Sequence, residues 1–240
     1  MNETYELFKQ IKHPTDVSDY WHVFNMQNAL NVMYWDHFFK ITQGLEGDII
    51  EFGVGRGRSL LTILSLATYY NNVNNTSKKI FALDSFEGFP EPTKEDESPR
   101  APKKGEWASS PNKQFNYSPE SLNIIIKNAA IPANTLQNLH VIKGFFSDTI
   151  SKISSSKISI LHLDGDLYQS VKTPLVGLAD RIVPGGIVVI DDYLLQDANQ
   201  SSEPFPGART AVEEFLRQRN DFQLRESIRG TPYLVKAEIK

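Results

Sequence analysis

The chain has 240 residues, 40% of them hydrophobic, which is enough for a single α/β domain with a substantial core. Its formal net charge of −4 gives no electrostatic basis for binding nucleic acid or an anionic membrane surface. The absence of cysteine excludes disulfides, thiolate catalysis and thiolate metal sites, and it is compatible with a cytoplasmic location.

No targeting or membrane segment is predicted. The first residues, MNETYELFKQIKH, are polar and charged and lack the apolar region of a secretory signal. No apolar run approaches the roughly 18 residues of a membrane-spanning helix. We therefore expect a cytoplasmic protein folded as one domain over residues 1–240, without internal repeats.

The N-terminal segment, residues 1–45, is predicted to be a mainly helical cap that is rich in aromatic residues. Such residues usually pack in a core, so we favour packing against a sheet; the alternative is that some of them wall a substrate pocket. His22 and His37 lack the spacing of metal ligands and are interpreted as structural. The aromatic residues concerned are Trp21, Phe24, Tyr34, Trp35, Phe38 and Phe39.

A glycine-rich turn follows the first predicted strand, which begins at Asp48 and ends in Glu51. The helix Leu60–Tyr70 is predicted to come next. Glycines between the two let the backbone turn tightly and approach a ligand, whose polar groups then meet the helix N-terminus. Alone this is a weak signal, because many strand–helix turns need glycine. The glycines are Gly53, Gly55 and Gly57.

The second predicted strand, Lys79–Leu83, follows a polar loop over Asn71–Lys79 and ends at Asp84. In nucleotide-binding α/β folds, an acid at this position holds the ribose hydroxyls of an adenosine group. Together with the glycine turn, Asp84 therefore favours a nucleotide-type cofactor. The alternative is that Asp84 only caps or turns the chain.

Residues 87–117 interrupt the alternation of strands and helices with a long insertion of mixed charge. Long irregular loops in compact domains tend to be lids or disordered. We favour a lid, because the insertion leaves the sheet at the edge where ligands bind. Its prolines are Pro90, Pro92, Pro99, Pro102 and Pro111.

Regular structure is predicted before and after the segment 157–193. A helix over Ser118–Ala130 and a third strand over Leu139–Lys143 precede this segment. A helix from about Gly207 to Arg219 follows it. The chain closes with a hairpin of two strands, Phe222–Ser227 and Tyr233–Lys236.

The segment 157–193 forms a strand–helix–strand unit. Its apolar runs, Ile158–Leu163 and Ile187–Ile190, are typical of parallel strands buried on both faces. A helix over Ser170–Arg181 and a turn at residues 184–186 connect them. His162, inside the first run, is interpreted as a hydrogen-bonded core histidine.

Both apolar runs stop at carboxylates, and consecutive parallel strands usually lie side by side, about 4.8 Å apart. Asp164 and Asp166 follow the first run, and Asp191 and Asp192 follow the second. Close carboxylates repel, so the site holds either a proton or a cation, and hard oxygen ligands favour Mg²⁺, Ca²⁺ or Mn²⁺. We assign Asp166 as a helix cap and the other three to a metal; the alternative is a solvated strand end.

A resemblance to a known family emerges from six motifs taken in order. They resemble class I S-adenosylmethionine methyltransferases and, more narrowly, the macrocin, mycinamicin and novobiocin type of sugar O-methyltransferase. The resemblance covers roughly residues 48–220 and implies a seven-stranded sheet in the order 3-2-1-4-5-7-6, with strand seven antiparallel and helices on both faces. The motifs are EFGVGRGRS, DSFEGFP, KGFFSDT, LDGDLYQS, PGGIVVIDDY and PGAR-x-AVEEF.

The resemblance also implies the site. It places Mg²⁺ or another hard divalent cation on Asp164, Asp191 and Asp192, and a small-molecule hydroxyl acceptor, such as a sugar moiety, beside it. Asp164 borders both sites and is the candidate general base. Arg209, at the start of a helix near the same edge, is a candidate for orienting the acceptor; the alternative is an ordinary surface arginine. The S-adenosylmethionine site implied by the family consists of Glu51, Gly53, Gly55, Asp84, Ser85, Gly144 and Phe145.

The sequence departs from related enzymes at three positions that bear on the acceptor. Leu167 stands where catechol-type methyltransferases carry a lysine. Gln169 and Ala208 stand where the sugar enzymes often have glutamate and cysteine. Two other functions stay open, an NAD-type oxidoreductase and a non-catalytic binding protein on the same scaffold. The oligomeric state is also open, with a homo-oligomer as one alternative.

Overall fold

The computed structural model describes residues 26–110, 113, 115–193 and 204–237. Its centre is a seven-stranded sheet in the order β3-β2-β1-β4-β5-β7-β6. The first five strands pair in parallel, and β7 is antiparallel to both of its neighbours. This confirms the predicted topology, which differs from the 3-2-1-4-5-6 order of dinucleotide-binding sheets.

The helices and strands follow the chain in regular alternation. In order they are α1 (Met26–Ile41), β1 (Asp48–Phe52), α2 (Arg58–Asn74), β2 (Ile80–Asp84), α3 (Pro119–Asn128), α4 (Ala133–Leu136), β3 (Leu139–Lys143), α5 (Phe146–Thr149), β4 (Ile158–Leu163), α6 (Tyr168–Leu178), β5 (Ile182–Ile190), α7 (Pro206–Gln218), β6 (Phe222–Glu226) and β7 (Pro232–Lys236). Short 3₁₀ turns occupy Lys94–Asp96, Ile150–Lys152 and Ala179–Arg181.

Two hydrophobic clusters cover the two faces of the sheet. Successive residues of a strand point to opposite faces, so Ile49 of β1 belongs to one cluster and Ile50 to the other. Helices α1 and α2 complete the cluster around Ile49, whereas α6 and α7 complete the cluster around Ile50. Every residue of β4 is buried, as its continuous apolar run predicted.

The aromatic residues of α1 pack in the core. Tyr34, Trp35, Phe38 and Phe39 are all buried, which confirms the interpretation as core rather than pocket wall. The predictions for Trp21, His22 and Phe24 lie outside the described residues. No helix in the described part of the chain is both long and apolar enough to cross a membrane.

Two element boundaries were predicted wrongly. Helix α2 continues through the asparagine-rich stretch to Asn74 and ends at Asn75, whose φ is 51°. The turn predicted at residues 184–186 lies within β5, where the β4–β5 register shifts next to Ile158 and Gly185 has φ 77°. The residues predicted to form a turn, which include Gly185 and Gly186, therefore lie in a β-bulge within β5.

Candidate active site at the carboxyl edge of the sheet

A cavity of about 560 Å³ opens at the carboxyl edge of the sheet, next to the ends of β1, β2, β4 and β5. Most of the residues predicted for the site line it: Gly53, Gly55, Asp84, Ser85, Phe145, Asp164 and Asp191. Glu51, Gly144 and Asp192 do not line it. The structure thus gathers into one cavity residues that lie more than a hundred positions apart in the sequence.

The glycine turn after β1 lies directly against the segment that follows β4. Gly53 has φ 90°, and a Cβ atom there would lie 1.6 Å from the carbonyl oxygen of Asp164. Any side chain at this position would therefore push the two segments apart. Glycine at this position lets the turn and the carboxylates share one cavity.

Asp84 is fixed by the backbone around it. Its carboxylate accepts hydrogen bonds from the N–H of Gly55 at 2.7 Å and of Phe86 at 2.6 Å. Burial raises the pKa of Asp84, and the two backbone donors oppose that effect. The acid at the end of β2 therefore joins the glycine turn to the loop after β2.

Glu51 lies behind the cavity rather than in it. Its side chain is fully buried, and one carboxylate oxygen is 3.1 Å from Nδ1 of His162. Trp35 packs edge-on against the His162 ring, with centroids 4.7 Å apart. His162 is thus a core histidine, as predicted. Among the described residues, Oε2 of Glu51 and Nε2 of His162 have no hydrogen-bond partner.

The carboxylates gather in a set that differs from the predicted one. Oxygen atoms of Asp164, Asp166 and Asp192 lie within 4.8 Å of one another. Asp191 was predicted to belong to this set, but it is not among the acids whose oxygen atoms lie within this distance of one another. Its Oδ1 accepts a hydrogen bond from Nη1 of Arg229 at 2.9 Å.

Asp166 was wrongly predicted to cap the following helix. The residue at the N-cap of α6 is Leu167, which has no side chain that can bond to the helix. Asp166 has φ 60°, and its backbone N–H donates to Oδ2 of Asp192 at 2.9 Å. The tight turn at residues 165–167 thus directs this acid toward the other carboxylates.

The carboxylate cluster carries strong mutual repulsion. Burial and the neighbouring charges of Asp191 and Asp192 raise the pKa of Asp164 well above its usual range. Burial, followed by repulsion from Asp166, does the same to the pKa of Asp192. Burial raises the pKa of Asp166 to about 6. A proton or a cation would relieve this repulsion, and the oxygen donors of the cluster fit a hard divalent cation.

The insertion supplies aromatic residues that sequence analysis missed. Phe89, Trp107 and Tyr117 line the cavity, and Trp107 is 50% exposed with φ 64°. The backbone closes the base of the insertion, because Phe89 N–H donates to the Glu106 carbonyl at 2.8 Å and Gly105 N–H donates to the Phe89 carbonyl at 3.0 Å. The many prolines and charged residues of the insertion indicated an irregular loop, so the sequence did not reveal that these aromatic residues line the cavity.

Three residues singled out for the acceptor have different surroundings. Gln169 lines the cavity, whereas Ala208, in the first turn of α7, is fully buried in the core. Arg209 is only 8% exposed, with its guanidinium 4.2 Å from the centroid of the Tyr193 ring. Arg209 is therefore not an ordinary surface arginine, and it does not line the cavity.

Comparison with protein families gives one match that covers most of the chain. A sequence model described as macrocin-O-methyltransferase (TylF) matches residues 36–220. This range contains all seven cavity-lining residues predicted from the sequence, together with the Asp164–Asp166–Asp192 cluster.

Two curated relatives have names that specify the hydroxyl they methylate. The chain is 27% identical over 175 residues to mycinamicin III 3''-O-methyltransferase of Micromonospora griseorubida, covering 73% of this chain and 62% of that protein. It is 26% identical over 171 residues to 8-demethyl-8-(2,3-dimethoxy-alpha-L-rhamnosyl)-tetracenomycin-C 4'-O-methyltransferase of Streptomyces olivaceus, covering 70% and 60%. The matched region thus spans about three fifths of each relative.

Solved structures share the fold. The calicheamicin methyltransferase CalS11 superimposes with a TM-score of 0.71 at 21% identity, covering 98% of this chain and 90% of that one. The O-methyltransferase NovP gives 0.65 at 20% identity, covering 88% and 80%. At such low identity, these two likenesses bear on the fold alone.

Proposed function

Because the chain belongs to the macrocin-O-methyltransferase family, we propose that it transfers the methyl group of S-adenosylmethionine to a hydroxyl of a sugar moiety on a small natural product. The names of the two curated relatives support this type of acceptor. The observation that carries the proposal is the contact between Gly53 and Asp164, which brings the glycine turn and the carboxylates into one cavity.

The donor is proposed to bind along the ends of β1 and β2. Gly53 and Gly55 let its polar groups approach the backbone, and Asp84 accepts hydrogen bonds from its ribose hydroxyls. Ser85 and Phe145 line the same part of the cavity. Glu51 and Gly144 are proposed to act from behind, by shaping the backbone that the donor contacts.

A divalent cation, Mg²⁺ in the first instance, is proposed to bind at the carboxylate cluster. Asp164 and Asp192 belong both to the set predicted from the sequence and to the set that the geometry gathers. The sequence predicted Asp191 as the third ligand. In the structure, Asp166 is the third acid whose oxygen lies close to those of Asp164 and Asp192. When bound, such a cation lowers the pKa of a coordinated hydroxyl and offsets the charge of the acids.

Asp164 is proposed to take the proton from the acceptor hydroxyl. It lines the cavity and its carbonyl oxygen abuts the glycine turn, so it borders the positions of both reactants. A base must lie within about 3 Å of the proton it removes, or reach it through one water. Orientation of donor and acceptor by the surrounding walls supplies a further part of the rate enhancement.

The first test is a thermal-shift titration with S-adenosylhomocysteine and, separately, with NAD, each in Mg²⁺ and in EDTA. A ligand at 100 times its dissociation constant stabilises the protein by about 2.7 kcal/mol, which corresponds to a shift of a few degrees. We expect a shift with S-adenosylhomocysteine and none with NAD. The opposite pattern would overturn the assignment of the donor.

A radiolabelled transfer assay with sugar-bearing acceptors then tests the reaction itself. Label carried from S-adenosylmethionine to a sugar hydroxyl would support the proposal. Donor binding without transfer to any sugar acceptor would favour the alternative of a non-catalytic binding protein.

A further inference from the structure

Asp96 is a buried acid in the middle of the insertion. Its side chain lies in the 3₁₀ turn Lys94–Asp96 and is only 2% exposed, although its neighbour Glu97 is exposed. One carboxylate oxygen, Oδ2, accepts hydrogen bonds from the backbone N–H of Thr93 at 2.7 Å and from its hydroxyl at 3.0 Å. These bonds close the turn and fix the carboxylate.

The other oxygen of Asp96 reaches a different element. Oδ1 accepts a hydrogen bond from the backbone N–H of Tyr168, the first residue of α6, at 2.7 Å. Helix N-termini leave N–H groups without partners, and α6 has no cap of its own because Leu167 precedes it. Asp96 therefore caps α6 from a position 72 residues earlier in the chain.

The start of α7 is closed over the same carboxylate. A Cβ atom on Gly207 would lie 1.9 Å from Oδ1 of Asp96, so only glycine fits there. Nearby, the hydroxyl of Ser98 donates to the carbonyl of Pro204 at 3.0 Å. The insertion is thus attached to the N-termini of both helices that follow the carboxylate-bearing strands.

The residues before Tyr168 form the turn that carries the cluster. Asp166 has φ 60°, a conformation that is costly for a residue with a side chain. The N–H of Leu167 donates to the Gly165 carbonyl at 2.6 Å, and the N–H of Asp166 holds Oδ2 of Asp192. Strain of this kind persists only where its surroundings hold it, and the bond from Tyr168 to Asp96 fixes the end of the turn.

We propose that Asp96 is a positioning residue for the carboxylate cluster. It anchors the turn at residues 165–167, so that occupation of the cluster by a divalent cation and closure of the insertion stabilise each other. This inference rests on the cation site of the proposed function. By linkage, the cation must stabilise the closed insertion as much as the closed insertion favours the cation.

The test measures Mn²⁺ binding by electron paramagnetic resonance in the full-length protein and its variants. Groups that orient metal ligands typically contribute 10- to 100-fold in metal affinity, so Asp96→Ala should weaken Mn²⁺ binding by about 10-fold or more. Asp96→Asn keeps an oxygen for Tyr168 and should retain part of the affinity. Glu97→Ala removes an equal charge from the exposed neighbouring position and should bind Mn²⁺ like the wild type.

Two further readouts separate positioning from general destabilisation. The affinity for S-adenosylhomocysteine, measured in EDTA, should stay within about two-fold in all variants, whereas unfolding would abolish it. In the wild type, Mn²⁺ should slow tryptic cleavage after the exposed Lys103 and Lys104, and this protection should be lost in Asp96→Ala. Cleavage of the wild type that is insensitive to Mn²⁺ would overturn the link without any variant.

The outcomes also distinguish this inference from the function on which it rests. Wild-type protein that binds no Mn²⁺ would overturn the cation site itself and the inference with it. Wild-type protein that binds Mn²⁺ as tightly as Asp96→Ala does would overturn the role of Asp96 alone and leave the cation site standing.

Discussion

Asp191 occupies the border between the cavity and the C-terminal hairpin. It lines the cavity, contributes to the raised pKa of Asp164, and pairs with Arg229 on the turn between β6 and β7. Arg229 in turn lies over the Tyr34 ring, 4.8 Å from its centroid. The Asp191 carboxylate therefore raises the pKa of Asp164 in the site and also contacts the C-terminal hairpin through Arg229.

Replacement of Asp191 by asparagine tests its part in the reaction. Asp191→Asn should abolish turnover and leave S-adenosylhomocysteine binding nearly intact, because the donor is proposed to bind at β1 and β2. Initial rates and isothermal titration calorimetry check the two halves of this prediction. Asp180→Asn, at an acid whose side chain is 89% exposed, is the matched control. Normal activity in Asp191→Asn would contradict a metal mechanism through this residue.

The sequence predicted that four acids lie at one edge of the sheet, but it did not reveal which three of them meet. Apolar runs that end at Asp164 and Asp191 locate the carboxyl edge of the sheet, because parallel strands end together there. We propose that the turn that places Asp166 near the other acids depends on Asp96, which caps α6. No local sequence pattern connects Asp96 with residues so far along the chain. A Thr-x-x-Asp spacing at Thr93 and Asp96 indicates a capped turn, yet it does not reveal the partner.

At the scale of elements, a lysine joins the ends of the central strands on the side opposite the cavity. The Nζ atom of Lys78 donates to the carbonyls of Leu45 and Gly47, at 2.6 and 2.8 Å, and to the hydroxyl of Ser159 at 3.0 Å. Burial lowers the pKa of Lys78. All three donors of the ammonium group thus bind uncharged acceptors around the starts of β1, β2 and β4.

Replacement of Lys78 by methionine should destabilise the fold without affecting the site. Loss of a fully buried donor leaves its acceptors unsatisfied at about 1–3 kcal/mol, and Lys78 is half-buried, so Lys78→Met should lower the free energy of unfolding by about 1 kcal/mol. Urea denaturation measures the change, and S-adenosylhomocysteine affinity should be unaltered. The exposed Lys79→Met should change stability by no more than about 0.5 kcal/mol. Equal effects of the two variants would contradict this account.

Strand boundaries were predictable where chemistry changes sharply along the chain. The predicted bounds of β3 and β4 equal the observed ones. For β4 the reason is that its largely apolar run lies between Lys157 and Asp164. The end of α2 was missed because asparagine is a poor helix former in isolation. Side-chain hydrogen bonds offset that preference here. Asn72 donates to the Thr68 carbonyl within the helix, and Gln43 donates to Oδ1 of Asn74 at 3.0 Å.

At the scale of the whole molecule, the carboxylate cluster is expected to make stability depend on pH. The raised pKa values of Asp164, Asp166 and Asp192 mean that the folded state binds protons more tightly than the unfolded chain. Stability therefore rises as pH falls from above these folded-state values toward the ordinary value of about 4. The divalent cation proposed for the cluster is expected to take the place of the protons and to remove this dependence.

Urea denaturation in EDTA and in Mg²⁺ tests this linkage. Without metal, the free energy of unfolding should increase between about pH 7.5 and pH 6, the value near which Asp166 titrates. With saturating Mg²⁺, the curve should be flatter and higher at the alkaline end. An Asp166→Asn variant should lose part of the dependence in EDTA. A metal-free protein that becomes less stable over this interval would contradict the prediction.

The closed base of the insertion has a consequence for engineering. Because Phe89 and the Gly105–Glu106 pair are joined by two backbone hydrogen bonds, the segment between them enters and leaves the domain at a single point. We therefore expect that such a segment can be exchanged between homologous proteins without rebuilding the sheet, provided that its contacts with Tyr168 and Pro204 are kept. A transplanted segment must bring its own acid in the place of Asp96, or the recipient helix will begin uncapped.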